Sequence, residues 1–255
     1  MHEMIAKKSR VTQFAGWVVW GSCALVAALM LGTATFYDAF SRFSQYDDEG
    51  FMLRCVQSLF QNKRLYDDVE NAYGPAYYLM SWLKHAVLRF PLTNAGVRWA
   101  GIAYLIATSA CAGCGVYLYT KHRWWALAAF LAVGHLLFQT MGNEPGHPQE
   151  LVGLLLAATP IGLGLWIRGR EKMAAAIVGG VVAGLILTKI NVGGLLLLAL
   201  LGGGVALRFS GRPWAIAPFV ALGAVPVLLM KSVLLTPGYT VLPRVLVLTL
   251  LAIGI

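Results

Sequence analysis

Tyr46-Asp47-Asp48-Glu49 sets three consecutive carboxylates directly after an apolar run, at the head of a segment that ends in Tyr73-Gly74-Pro75. Charge at the edge of a hydrocarbon layer costs on the order of a few kcal/mol, so adjacent acids placed there point to chemistry or ion handling. An ionised carboxylate is what a general base requires. The periodicity of residues 49–61 reads as a helix, with Phe51, Met52, Cys55, Val56, Leu59 and Phe60 on one apolar face. Asp48 then stands near the helix start, where the dipole keeps a carboxylate ionised. Plain capping by Asp47 or Asp48 is the competing use. One acid suffices for a cap, and the presence of three favours Asp48 and Glu49 as working groups. A second acidic group, Asp67, Asp68 and Glu70, falls at the far end of the same helix.

The segment Gly142-Asn143-Glu144-Pro145-Gly146-His147-Pro148-Gln149-Glu150 carries two prolines and two glycines and reads as a structured turn. Glu144, His147 and Glu150 gather in it without an apolar reason to be there. Their spacing does not match a helical HExxH zinc site. A divalent cation such as magnesium or manganese, held by oxygen ligands from Asp48 or Glu49 and from Glu144 or Glu150, is one expectation, with Asp48 and Glu150 as the metal candidates. A single loop histidine is more commonly a hydrogen-bonding group. Lys189 and Asn191 form a polar turn between two apolar runs. There Lys189 either snorkels or meets a phosphate at the membrane surface.

The elements that must position these groups are almost entirely apolar. The chain has 255 residues, 58% hydrophobic and 12% charged, with mean hydropathy +0.69. Soluble proteins are closer to ~25% charged. The fold class expected is all-α, a polytopic bundle in a bilayer, forming a single integral membrane domain over 1–255. The net charge of +9 does not signal nucleic acid, because the basic residues sit in short clusters between apolar runs. Cys111-Ala-Gly-Cys114 lies among small helix residues and reads as packing. The chain contains no GxSxG, no GxxxxGK[ST] and no dinucleotide-binding GxGxxG.

Spans are expected near 14–36, 97–119, 124–141, 151–167, 173–188, 192–207 and 214–235, with a partial span after 241, about seven or eight in all. Lys7-Lys8-Ser9-Arg10, Lys121-His122-Arg123, 168–172 and 208–212 are basic and alternate with nearly base-free connections. The positive-inside rule then sets the N-terminus in the cytoplasm of a multi-pass cytoplasmic (inner) membrane protein. The basic flanks of 173–207 require two short crossings that turn at Lys189 to Asn191. Their glycines, Gly180 and Gly184 among them, suit close helix packing. Nine of the eleven acids fall outside: Asp38, Asp47, Asp48, Glu49, Asp67, Asp68, Glu70, Glu144 and Glu150. The first outer loop spans 37–96. Within it, 75–90 reads as an interfacial helix with a polar stripe of Ser81, His85 and Arg89. The last residues remain apolar without a closing basic loop, the pattern expected of the N-terminal part of a longer protein or of a truncated reading frame.

The order of these motifs resembles the GT-C membrane glycosyltransferases, in particular dolichyl-phosphate-mannose mannosyltransferase-like and aminoarabinose-transferase-like proteins of glycosyltransferase families 39 and 83. The residues that carry the resemblance are Asp48-Glu49-Gly50, Tyr66-Asp67-Asp68 and Tyr73-Gly74-Pro75-Ala76-Tyr77-Tyr78, within roughly 14–207. The resemblance implies a helical bundle with interfacial helices in a large first outer loop. It implies inverting transfer of a sugar from a polyprenyl-phosphate donor to a lipid, glycan or protein acceptor of the cell envelope. By position it gives Asp48, with Glu49 beside it, as the base or the group that orients the substrate. Glu150 is the second acid, with Glu144 as the alternative. Tyr73 belongs to the substrate site, and Lys189 holds the leaving phosphate with Arg54 or His147. Relatives of the aminoarabinose type carry a lysine where this chain has Gly74, so that substrate-handling group is missing. The rival expectations are a transporter or lipid flippase, and a membrane scaffold without catalysis.

Overall fold

The computed structural model describes residues 2–41, 48–69, 73–141 and 145–208, and the side chains of all of these except 2–13, 48, 141, 206 and 207. Every regular element of any length among them is helical. In chain order these are α1 (His2–Ser41), α2 (Asp48–Phe60), α3 (Pro75–Trp82) continued by a π-helical turn (Leu83–Val87), α4 (Asn94–Thr120), α5 (Arg123–Met141), α6 (Gln149–Ile167), α7 (Glu171–Ile186) and α8 (Ile190–Arg208). The chain divides into two compact units, Met1–Gly193 and Gly194–Ile255. In the first unit α4 packs on α5 and α6, α6 on α7, and α1 on α4 and α5. In the second unit the described residues continue α8.

Three of the described helical segments are long and apolar enough to cross a membrane: Phe14–Ser41, Asn94–Thr120 and Gln149–Ile167. Their apolar side chains point outward, as along α1, where Val19, Leu25, Leu29 and Met30 are all more than half exposed. Water does not tolerate so long an apolar face, and lipid covers it. Exposed aromatics mark the two edges of that layer. On α1, Trp17 and Tyr37 are exposed, and on α4, Trp99 and Tyr119 are exposed. Each pair is separated by about 20 residues, or ~30 Å at the helical rise, which is the thickness of a bilayer core. The rings of Phe36 and Trp99, 5.1 Å apart, bring the Tyr37 end of α1 and the start of α4 to one level. Aromatic belts at both interfaces belong to a multi-pass membrane protein.

Charge sorts to the two ends of these helices. Trp20 Nε1 donates to the carbonyl of Arg123 at 2.9 Å, and Arg168 Nη2 donates to the carbonyl of Leu118 at 2.6 Å. The α4–α5 and α6–α7 connections therefore lie together, at the end of α1 that carries Trp20. Glu49, Glu150 and Arg98 lie at the opposite end. The sorting agrees with the expected alternation of basic and base-free connections.

Several expectations need correction. Helix α1 runs on to Ser41, so Asp38 is a buried helix residue, not part of the first outer loop. On α2, Met52, Leu53, Cys55 and Val56 are buried, whereas Phe51 and Phe60 are exposed, so the apolar face is narrower than read. Residues 75–87 form eight α-helical and five π-helical residues. That is about 20 Å of helix, too short to span. The expected stripe does not share one environment: Ser81 is buried, His85 half-buried and Arg89 exposed, while Lys84 is buried and Leu79, Trp82, Val87 and Leu88 are exposed. A break between α7 and α8 is present as expected from charge, but it falls at 187–189, two residues before the expected Lys189 to Asn191 turn, with Asn191 already in α8. Gly184 does pack against another helix, 3.1 Å from Leu155 if given a Cβ, but Gly179 and Gly180 face open space. The expected span 214–235 and the segment after 241 lie outside the described residues.

The charge sorting can be tested with a membrane-impermeant thiol reagent. In a cysteine-free background, a cysteine at Arg89 and one at Arg170 should be modified from opposite faces of sealed cells. Labelling of both from one face would contradict the arrangement.

Candidate functional site

Three segments far apart in sequence meet at the acidic end of the first unit. The first is Tyr73-Gly74-Pro75. Gly74 N–H donates to the carbonyl of Thr188 at 3.0 Å, and Ala76 N–H to that of Leu187 at 3.0 Å. The last carbonyls of a helix need partners, and here the start of α3 supplies donors to the chain that leaves α7. The contact is backbone on backbone. A Cβ at residue 74 would sit 2.0 Å from the Leu187 oxygen, so glycine is required. A lysine at this position, as in the aminoarabinose-type pattern, is sterically excluded here.

The second segment is 145–150. Tyr73 Oη lies 2.9 Å from His147 Nε2, and the two rings meet edge to face at 5.5 Å. Gln149 N–H donates to His147 Nδ1 at 3.3 Å. In the neutral ring the proton then sits on Nε2 and is donated to Tyr73. Tyr77 Oη donates to the carbonyl of Gly146 at 2.8 Å, and Gly146 N–H donates to Glu150 Oε1 at 2.9 Å. Burial raises the pKa of Tyr77 and keeps it a donor. The third segment is 187–191, where Lys189 Nζ lies 5.8 Å from the centre of the Tyr73 ring.

Beneath this cluster lie two cations that the sequence reading did not single out, each near an acid that it did. Arg98, near the start of α4, makes a two-pronged ion pair with Glu49, Nε to Oε1 at 2.9 Å and Nη2 to Oε2 at 2.8 Å. The two side chains are only 6% and 14% exposed. Lys84 is buried, with Nζ 5.4 Å from the centre of the Tyr104 ring. Burial lowers the pKa of Lys84, and the nearby Glu150 carboxylate offsets part of that shift. Glu150 is itself buried, and Gly101 leaves room for it: a Cβ there would stand 2.6 Å from Oε1. Arg98, Tyr104 and Glu150 line a small cavity, about 30 Å³, whose remaining wall includes Thr35, Leu105 and Leu137.

The structure thus gathers Tyr73, His147, Glu150 and Lys189, and sets Glu49 nearby within electrostatic reach of Glu150. Arg54 is not with them. It lines a separate surface recess with Gly50, Gln57 and Asn94. Asp47, Glu70 and Glu144 lie outside the described residues. Asp48 opens α2, and its side chain lies outside them as well. The Asp68 carboxylate accepts from Arg64 N–H at 2.8 Å and closes an exposed turn. Of the two metal candidates, Glu150 accepts from Gly146 N–H and has Lys84 and Glu49 within electrostatic reach, and the Asp48 side chain lies outside the described residues. Among the described residues no three His, Cys, Asp or Glu side chains gather as a metal site. The signals that were overlooked are a charge inside an apolar span, Arg98, and the Tyr77, Ser81, Lys84 spacing along one helix face. No family model, curated protein or solved structure matches this chain.

Two variants test the geometry. Gly74→Ala should lower stability by about 2 kcal/mol or more, read as a fall in Tm of the purified protein, and an unchanged Tm would contradict the backbone contact. Arg98→Met alone should cost about 3 kcal/mol, because it strips the Glu49 carboxylate of its guanidinium. Arg98→Met with Glu49→Leu should recover most of that loss. A double variant no better than the single one would show that the pair is not coupled.

Proposed function

We propose that this protein is a membrane glycosyltransferase that moves a sugar from a polyprenyl-phosphate donor to an acceptor hydroxyl at the extracytoplasmic face of the cytoplasmic membrane, with the N-terminus inside. In this reading it is a GT-C-like bundle, with α2 and α3 as the interfacial helices of the first outer loop. One observation carries the proposal. The Tyr73-Gly74-Pro75 turn, His147 and Lys189 converge beside the buried Glu49–Arg98 and Lys84–Glu150 groups, at the acidic end of helices that span a membrane.

Each part then has a task. The exposed apolar side chains of α3 and its π-turn, Leu79, Trp82, Val87 and Leu88, offer a lipid-facing surface along which a polyprenyl tail approaches. Lys189, held over Tyr73, meets the donor phosphate. Asp48, at the first residue of α2, accepts the acceptor's proton. The hydroxyl oxygen forms a bond to the anomeric carbon. The bond from that carbon to the phosphate oxygen breaks, and polyprenyl phosphate leaves with the electron pair. Fixed positive charge at the leaving phosphate lowers the barrier most. Glu49 and Glu150 are engaged by Arg98 and by Gly146 with Lys84, so they position the site and leave proton transfer to Asp48.

A transporter or lipid flippase is the second reading, and the buried Lys84 beside Glu150 favours it, since ionisable pairs at membrane depth mark ion and substrate paths.

The test is release of polyprenyl phosphate from a mixed pool of polyprenyl-phosphate sugars by the purified full chain. Asp48→Asn should reduce release by a factor of about 10² or more, and Lys189→Gln should slow it while membrane expression stays the same. Equal release by wild type and Asp48→Asn would overturn the assignment. Ion-driven uptake into proteoliposomes without release would replace it with the transporter reading.

A further inference from the structure

The end of the bundle away from Glu49 and Glu150 carries a second, independent feature. An apolar groove of about 300 Å³ runs between α1, α4 and α5, lined by Trp17, Trp20, Gly113, Cys114, Leu127 and Phe130 among others. Its mouth shares Trp17, Tyr117 and Arg123 with a wider, more open recess that adds Lys121, His122 and Trp124. The wall is hydrocarbon and the mouth is cationic. No acid lines either part among the described residues.

The mouth is held in place by specific contacts. The Arg123 guanidinium lies against the backbone of Gly16, where an added Cβ would stand 2.6 Å from Nη2. It also lies 5.5 Å from the Trp17 ring. Trp20 Nε1 donates to the Arg123 carbonyl at 2.9 Å, which ties α1 to the start of α5. Lys121 ends α4 with φ 58°, in the left-handed region where glycine is the usual residue. Its ammonium lies 5.9 Å from the centre of the Tyr117 ring. A lysine kept where glycine would fit more easily points to a use for the charge.

We propose that this groove holds one acyl chain of an anionic phospholipid, with the headgroup phosphate seated in the mouth among Lys121, His122 and Arg123. Charge complementarity selects the occupant. A phosphate meets three basic groups there, whereas the quaternary ammonium of a zwitterionic lipid finds no carboxylate among the described residues that line it. Trp17 and Trp124 flank the phosphate at headgroup level, where amphipathic rings settle. The inference does not depend on what the acidic end of the protein does.

Native mass spectrometry of the delipidated full chain tests it, with phosphatidylglycerol and phosphatidylcholine of the same acyl chains in competition. One phosphatidylglycerol should be retained in preference to phosphatidylcholine. Lys121→Gly, which also relieves the backbone, and Arg123→Gln should each reduce that preference about five-fold, the order expected for one basic residue facing an anionic lipid surface. Arg170→Gln, a cation of another connection, should leave it unchanged. Ala110→Phe, which fills the groove, should abolish the retained lipid. Equal retention of the two lipids, or a preference that Lys121→Gly and Arg123→Gln leave intact, would overturn the proposal.

Discussion

The backbone at Gly74 lies directly on the carbonyls where α7 ends, and the arrangement of the acidic end depends on that contact. Two N–H groups at the start of α3 satisfy two carbonyls at 187 and 188, and no side chain fits between the strands of chain. The contact fixes where Tyr73 points. Tyr73 in turn meets His147 on one side and Lys189 on the other. A single missing Cβ therefore links three segments that are separated by more than a hundred residues in all.

The charges beneath the contact obey the same economy of the membrane. None of the four large charged groups is left alone in a low-dielectric surrounding. Arg98 takes both oxygens of Glu49, the strongest geometry open to a carboxylate and a guanidinium. Lys84 faces the Tyr104 ring and the Glu150 carboxylate. Glu150 also accepts from Gly146 N–H. These groups join α2, α4, α6 and the π-turn after α3, so the electrostatics that a substrate would meet are also what hold the elements together. At the opposite end, cations predominate, and the grooves there are suited to a different partner.

Much of the helical layout was legible because it follows from simple physics. Apolar runs separated by basic clusters gave the helices, and the basic flanks of 173–207 required the break that appears at 187–189. Pro75 marked the start of α3 because proline suits the first helical position. The candidate groups Tyr73, His147, Glu150 and Lys189 were legible as polar residues without an apolar reason, and they do come together. Arg54, expected beside the leaving phosphate, faces elsewhere, because charge alone does not say which side of α2 a residue takes. The polar stripe at Ser81, His85 and Arg89 was misread for a geometric reason. Leu88 N–H bonds to the carbonyl of Leu83, a five-residue step that widens the helix turn. Arg89 falls outside the helix, while Lys84 shares the buried face of Tyr77 and Ser81 at ordinary helical spacing. The pairing of Glu49 with Arg98 joins elements that are distant in sequence, and no local pattern announces it. The role of Gly74 shows only when the Leu187 carbonyl is in view.

The central claim is that the acidic end receives a polyprenyl phosphate, and photoaffinity mapping addresses it most directly. A diazirine-bearing polyprenyl phosphate would be irradiated with the full chain in detergent, and the adducts located by peptide mapping. The account expects adducts concentrated in the peptides that contain Tyr73 to Leu88, Pro145 to Glu150 and Leu187 to Asn191, displaced by unlabelled polyprenyl phosphate. Adducts spread evenly over the lipid-facing sides of α1, α4 and α6, or confined to the Lys121 end, would contradict it.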